Sequence, residues 1–215
     1  MNAANVHLFI FGAKSTALEI AETVALAFPG WKTAHVADQS DPSLPLTFIQ
    51  DSQLEKYLST VTGDKRFILS MADHDLRRHY LELAGSLNLA PQTIIHPDAT
   101  VSASAKIGHG SYLAPGCRVS TGAIVGNHCL FNLNVSYGHH ARCGEHVCIL
   151  PGAAIGGDVS LGDRVLVGAN AFVYQGVQVA DDCQIDALTY VGRDLSPKTV
   201  CTSRQFRTFP RIDTK

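Results

Sequence analysis

Every sixth residue from Ile95 is apolar: Ile95, Val101, Ile107, Leu113, Val119, Val125, Phe131, Tyr137, Cys143, Ile149, Ile155, Leu161, Val167, Val173, Val179, Ile185 and Val191. The run holds for seventeen positions without a charged residue and without an insertion. An α-helix repeats near 3.6 residues and a half-buried strand at 2, so neither generates this spacing. Two residues before each apolar position the chain is small or β-branched: Ala99, Ala105, Ser111, Cys117, Ala123, Cys129, Val135, Ala141, Val147 and Ala153. Glycine follows it at 108, 126, 138, 144, 156, 162, 168 and 192.

A triangular prism satisfies that grammar. Three hexads make one coil, the aliphatic residue points inward, and the small residue packs beside it at the corner. The expected architecture over 93–192 is therefore a left-handed parallel β-helix of a little over five coils, stacked at about 4.8 Å. Open ladder edges at each end need covering.

Residues 1–92 follow a different rule. "VHLFIFG" is an apolar run closing on Gly12, as for a strand buried on both faces, and "TALEIAETVALAF" has helical spacing up to Pro29-Gly30. Strands at "KTAHVAD", "LTFIQ" and "RFILSM" alternate with helices at "SQLEKYL" and "HDLRRHYLELAGSLN". This alternation predicts a small Rossmann-like α/β domain with a parallel sheet. It is expected to cap one end of the prism, and the C-terminal tail, 193–215, the other.

Composition excludes some classes. The formal net charge is −2 and the basic residues form no cluster, which predicts neither a nucleic-acid partner nor an acidic membrane surface. No apolar stretch has the length of a signal peptide or a membrane span, so a cytoplasmic location is expected. The six cysteines are expected as reduced core fillers.

Polar chemistry concentrates in "NVSYGHHARCGEH". On the prism, His139 and His140 lie on the outside of one turn, His146 lies on the next corner, and Cys143 points inward. Those four fan out, so no metal site is expected from them, since a metal needs converging ligands. Gly157, eighteen residues after His139, falls directly above it. A histidine beside a free backbone N–H meets the minimum for acyl transfer: the imidazole takes a proton and the amide holds the oxyanion.

With "NLNVSYGHHARCG" in place, the whole chain resembles the hexapeptide-repeat sugar O- and N-acyltransferases of bacteria. It is most similar to the acetyl-CoA-dependent N-acetyltransferases of nucleotide-linked amino sugars, of the bacillosamine and perosamine type. The sialic acid O-acetyltransferases share the pattern. The resemblance implies His139 as general base with Asn132 and His140 in the site. It further implies an acetyl-CoA groove between subunits of a homotrimer, touching Cys148, Gly157, Ala169 and Ala187. A nucleotide-linked amino sugar would meet Gly12 and Asp38, in surface-polysaccharide (lipopolysaccharide) synthesis. His140 stands where the family has an acidic residue, and Asp158, one coil above His140, could supply the carboxylate through it. For the phosphates of CoA only scattered Arg164, Arg193 and Lys198 are available. Transfer to a sugar hydroxyl, a non-catalytic scaffold trimer and a γ-carbonic-anhydrase-like metal protein are the alternatives.

Overall fold

A computed structural model of the 215-residue chain describes residues 5–12, 14–39 and 47–203. The part of the C-terminal tail beyond residue 203 lies outside the described residues.

Five parallel strands form the N-terminal sheet: β1 (Val6–Phe11), β2 (Lys32–Ala37), β3 (Phe48–Gln50), β4 (Asp64–Leu69) and β5 (Ala90–Pro91). Their order is β3-β2-β1-β4-β5, so the direction of winding reverses between β1 and β4. Strand β1 is buried along its whole length, which is why its sequence is apolar without alternation. Helix α1 (Ser15–Ala27) follows β1, α2 (Leu54–Leu58) follows β3, and α3 (His74–Ser86) follows β4. The Asp73 side chain caps α3 by accepting the Leu76 N–H.

From Ile94 the chain winds into a prism. All seventeen hexad positions close a two-residue strand, and the strands stack in parallel on three faces. Face A carries Ile95, Leu113, Phe131, Ile149, Val167 and Ile185. Face B carries Val101, Val119, Tyr137, Ile155, Val173 and Val191, and face C carries Ile107, Val125, Cys143, Leu161 and Val179. Residues eighteen apart pair directly, as Arg118 with Ser136 and Cys148 with Leu166. All six cysteines are free, five of them buried.

At the corners the chain turns through left-handed backbone. His128, Asn134, His140, His146, Asp158, Arg164, Asn170 and Asp182 all take φ between 53 and 61°. Several of these side chains lean onto a glycine in the coil below: a Cβ at Gly110 or Gly122 would strike the ring of His128 or His140. Those glycines are required by the ring above as well as by their own positive φ.

The α/β unit runs alongside the prism rather than only across its end. On face A the outward positions Ile94, Tyr112, Leu130 and Cys148 are buried, in one core with Leu8, Ile10 and Ile20. Their counterparts on face B, such as Thr100, Arg118 and Ser136, are exposed. An apolar residue every eighteen positions on the outside of one face marks it for covering, because leaving four such side chains in water would forgo about 1.5–3 kcal/mol each. At the C-terminal end, Val200–Cys201 adds a strand to face A and Leu195 bridges to Val179.

Candidate active site

The corner between faces B and C brings His139, His140 and Asp158 together. Nδ1 of His139 lies 3.3 Å from Nδ1 of His140 and 3.8 Å from a carboxylate oxygen of Asp158. Asp158 therefore reaches His139 directly, where the spacing had suggested contact through His140. His140 and Asp158 are vertical neighbours in the same left-handed turn position, so both side chains leave the ladder in the same direction. The Asp158 N–H donates to the His139 carbonyl, which fixes the two coils against each other. The cluster is open to water, with His139 and Asp158 about half exposed (52% and 53%).

Gly157 sits against the His139 ring, and a Cβ there would come within 2.4 Å of Nε2. Only glycine allows the imidazole to lie over this piece of backbone. Among the described residues the Gly157 N–H has no hydrogen-bond partner. At the same turn position on the corner between faces C and A, the N–H groups of His109, Glu145 and Asp163 are each capped by a side chain one coil above: Asn127, Asp163 and Asp181. The capping ladder is absent beside His139, which leaves a donor free.

Other expected site residues fall elsewhere. Asn132 lies on the preceding corner, between faces A and B, where its Oδ1 accepts the Leu133 N–H at 2.7 Å; within one chain it is not part of the His139 cluster. Ala169 and Ala187 stack on that same corner, above Leu133 and Pro151. Cys148 is a correction: it is fully buried under the α/β unit and faces no groove. Arg164 is a second, since its guanidinium donates twice to the Asp182 carboxylate, at 2.6 and 3.1 Å, and is not free for a phosphate.

Gly12 and Asp38 line one cleft of about 700 Å³, together with Lys14, Ser15, Ser70 and Asp73. It opens at the C-terminal ends of β1, β2 and β4, where the winding reverses and ligands of open α/β sheets bind. Gly12 has φ of +118°, and a Cβ there would fall 2.2 Å from the Ser70 hydroxyl. Ser70 in turn donates to the Phe11 carbonyl. The cleft lies next to the N-terminus of α3, on the side of the C–A corner, so face C separates it from His139 of the same chain.

That C–A corner holds a feature the sequence reading missed. His128 and His146 stack with ring centroids 5.4 Å apart, and His128 stacks on Phe67 of β4 at 5.8 Å. Arg77 of α3 donates to the carbonyls of Met71 and His128, joining the cleft wall to the prism. Burial, with His146 and Arg77 nearby, pushes the His128 imidazole down to about 4. Burial also lowers His146 and His74. The signal was available: His128 and His146 are eighteen apart and so share a corner.

Comparison with known proteins agrees with this geometry. The family model "Bacterial transferase hexapeptide (six repeats)" matches residues 140–175, and "Hexapeptide repeat of succinyl-transferase" matches 158–193. GDP-perosamine N-acetyltransferase of Escherichia coli O157:H7 is 29% identical over 113 residues, 53% of this chain and 51% of that protein. The aligned region thus spans about half the length of that relative. Perosamine N-acetyltransferase from Caulobacter crescentus, a histidine-to-asparagine mutant solved with CoA and GDP-perosamine, superposes with a TM-score of 0.83 at 25% identity, covering 90% of this chain and 92% of that one. The acetyltransferase domain of PglB from Neisseria gonorrhoeae, in complex with acetyl coenzyme A, gives 0.78 at 26% identity, covering 92% and 97%. A prism built on an unbroken hexad, an α/β unit against its side, and these likenesses along the chain agree: the chain is similar to the hexapeptide-repeat sugar acyltransferases.

Proposed function

We propose that the chain transfers an acetyl group from acetyl-CoA to the amine of a nucleotide-linked sugar, with His139 as general base. The observation that carries this is the pairing at one corner of an exposed imidazole, a carboxylate 3.8 Å from its Nδ1, and the unpartnered backbone N–H of Gly157, the residue against which the ring lies. With the Asp158 carboxylate beside it, the ring keeps its proton on Nδ1 and presents the Nε2 lone pair. The sugar amine attacks the thioester carbonyl while Nε2 takes a proton from the nitrogen. The oxyanion is held by the Gly157 N–H, and the intermediate collapses by expelling the CoA sulfur, which receives that proton. The solved relative with CoA and GDP-perosamine together supports this choice of donor and acceptor class.

The cleft at Gly12 and Asp38 is the proposed seat of the nucleotide, and the N–H groups of Gly157, Ala169 and Ala187 the proposed contacts of acetyl-CoA. Gly157 and the two alanines lie on different corners of one chain. A single groove touching all three needs a second copy, which is the basis for proposing a homotrimer. Face B supports it, since Phe172, Tyr174 and Tyr190 stand exposed there in mutual ring contact. On this reading the enzyme acts in the cytoplasm, in surface-polysaccharide synthesis; no helix among the described residues is long and apolar enough to cross a membrane.

The test is a panel of nucleotide-linked amino sugars and their hydroxyl counterparts incubated with acetyl-CoA, following free CoA thiol. Release with an amino sugar and not with its hydroxyl counterpart is expected. Thiol release only with the hydroxyl series would make it an O-acetyltransferase, and none with either would defeat the reading.

A further inference from the structure

The same corner satisfies a second chemistry. Three ligand atoms, one each from His139, His140 and Asp158, lie within 4.8 Å of one another, with separations of 3.3 Å and 3.8 Å along the two edges that meet at His139 Nδ1. A zinc-like ion sits about 2.1 Å from nitrogen or oxygen ligands, so its ligand atoms stand about 3.4 Å apart in a tetrahedron and about 3.0 Å apart in an octahedron. The corner is therefore within small side-chain rotations of coordination geometry. Its frame is stiff as well. His140 and Asp158 are stacked positions of a parallel ladder, both in left-handed backbone, and the His140 ring rests on Gly122, where a Cβ would strike it.

We infer that His139, His140 and Asp158 form a binding site for a divalent transition-metal ion, and that the ion inhibits acyl transfer. Two imidazoles and one carboxylate make a borderline donor set, suited to Zn²⁺, Co²⁺, Ni²⁺ or Cu²⁺ and poor for Mg²⁺ or Ca²⁺. Three protein ligands leave a fourth position for water. Had an acidic residue stood at 140, only one imidazole would remain; the second histidine changes the affinity class of the turn.

Inhibition follows from proton placement and rests on the reading of His139 as base. A metal on Nδ1 displaces the proton from that atom, and the neutral ring then carries its proton on Nε2. Nε2 is where the base must keep its lone pair. Metal binding and proton abstraction use one imidazole in opposite tautomers, so each excludes the other.

Calorimetric titration of the chelator-stripped protein with Zn²⁺, and the visible absorption of its Co²⁺ form, test binding without reference to activity. One ion per chain is expected, with affinity at least tenfold weaker in both His140→Ala and Asp158→Asn and with circular dichroism unchanged. Equal affinity in wild type and both variants would place the ion elsewhere and overturn the site. In a parallel assay on wild-type protein, the acetylated sugar is followed by mass spectrometry, because zinc traps free thiol. Zn²⁺ should slow the reaction and EDTA restore it. Binding at these residues with transfer unaffected would overturn the inhibitory role and, separately, the assignment of His139 as base.

Discussion

Two corners of the prism carry a histidine at the same step of the hexad and in the same left-handed backbone, His140 on one and His128 and His146 on the other, and make opposite use of them. On the B–C corner, His139 and His140 face water beside a carboxylate and a free N–H. On the C–A corner, His128 and His146 are pressed under α3 and β4, with Arg77 against them and their Nδ1 atoms unpartnered. The local sequence is nearly interchangeable; the α/β unit makes the difference. Where it covers a corner, water is removed and the imidazoles become neutral packing groups. Where it leaves a corner bare, the same side chain stays open to water. Backbone capping follows the same division, with a ladder of Asn and Asp side chains closing the covered corner and none closing the open one.

The largest effect expected from breaking this contrast is at the open corner. His139→Ala should lower turnover roughly 10²–10⁴-fold, the range of a lost general base, or roughly 3–5 kcal/mol of barrier. Melting temperature and acetyl-CoA binding should hardly move. Gly157→Ala is the companion variant: its methyl group meets Nε2 and should displace the ring, giving a comparable loss without deleting any catalytic group. Steady-state kinetics of both separate a base from a surface histidine, for which neither change would matter.

At the covered corner the key residue is Arg77, only 2% exposed. Arg77→Met should cost about 2–4 kcal/mol, because it leaves the Met71 and His128 carbonyls without their donor. It should also raise the His128 and His146 imidazoles, since the Arg77 charge helps hold both down. Denaturant unfolding at several pH values reads both consequences.

Acid itself should loosen the covered corner. His128 stays neutral in the folded chain down to about 4, whereas an unfolded imidazole takes its proton near 6.5. Between those values the unfolded state binds more protons, so this contribution is complete above 6.5 and is lost as pH falls toward 4. Its size is on the order of 2 kcal/mol once the part of the ring open to water is allowed for. His128→Leu should flatten the dependence of melting temperature on pH across that window; an unchanged slope would assign the acid sensitivity to other groups.

The smallest effect is expected from Asp163→Ala. It uncaps the Glu145 N–H and removes a carboxylate 3.8 Å from Arg164, for about 0.5–1 kcal/mol. Activity should be unaffected if the two corners are energetically separate.

Much of this was legible in the sequence because the hexad converts chain position into spatial position without ambiguity. It places Gly157 over His139 and Cys143 in the core. Legibility stopped where one unit meets another. The burial of Cys148 depends on which face the α/β unit covers, and that signal runs at eighteen residues through Ile94, Tyr112, Leu130 and Cys148 rather than at six. Asp158 was placed beside His140 correctly by column, yet its carboxylate reaches His139, because rotamers are decided by neighbours and not by register. Arg164 reads as a free cation until its column is followed one coil on, to Asp182.

The eighteen-residue vertical pairing also sets a rule for how such a chain can change length. Insertion of six residues between Ile95 and Val191 would turn everything beyond it by a third of a revolution, carrying each later corner to a neighbouring edge. Insertion of eighteen lifts everything beyond it by one step of about 4.8 Å and turns nothing. Height on the prism is thus adjustable in whole coils while the compass bearing of every side chain is conserved. A duplicated coil between Gly157 and the aromatic patch at Phe172 and Tyr190 would lengthen the distance between them by that one step and leave both on their present edges.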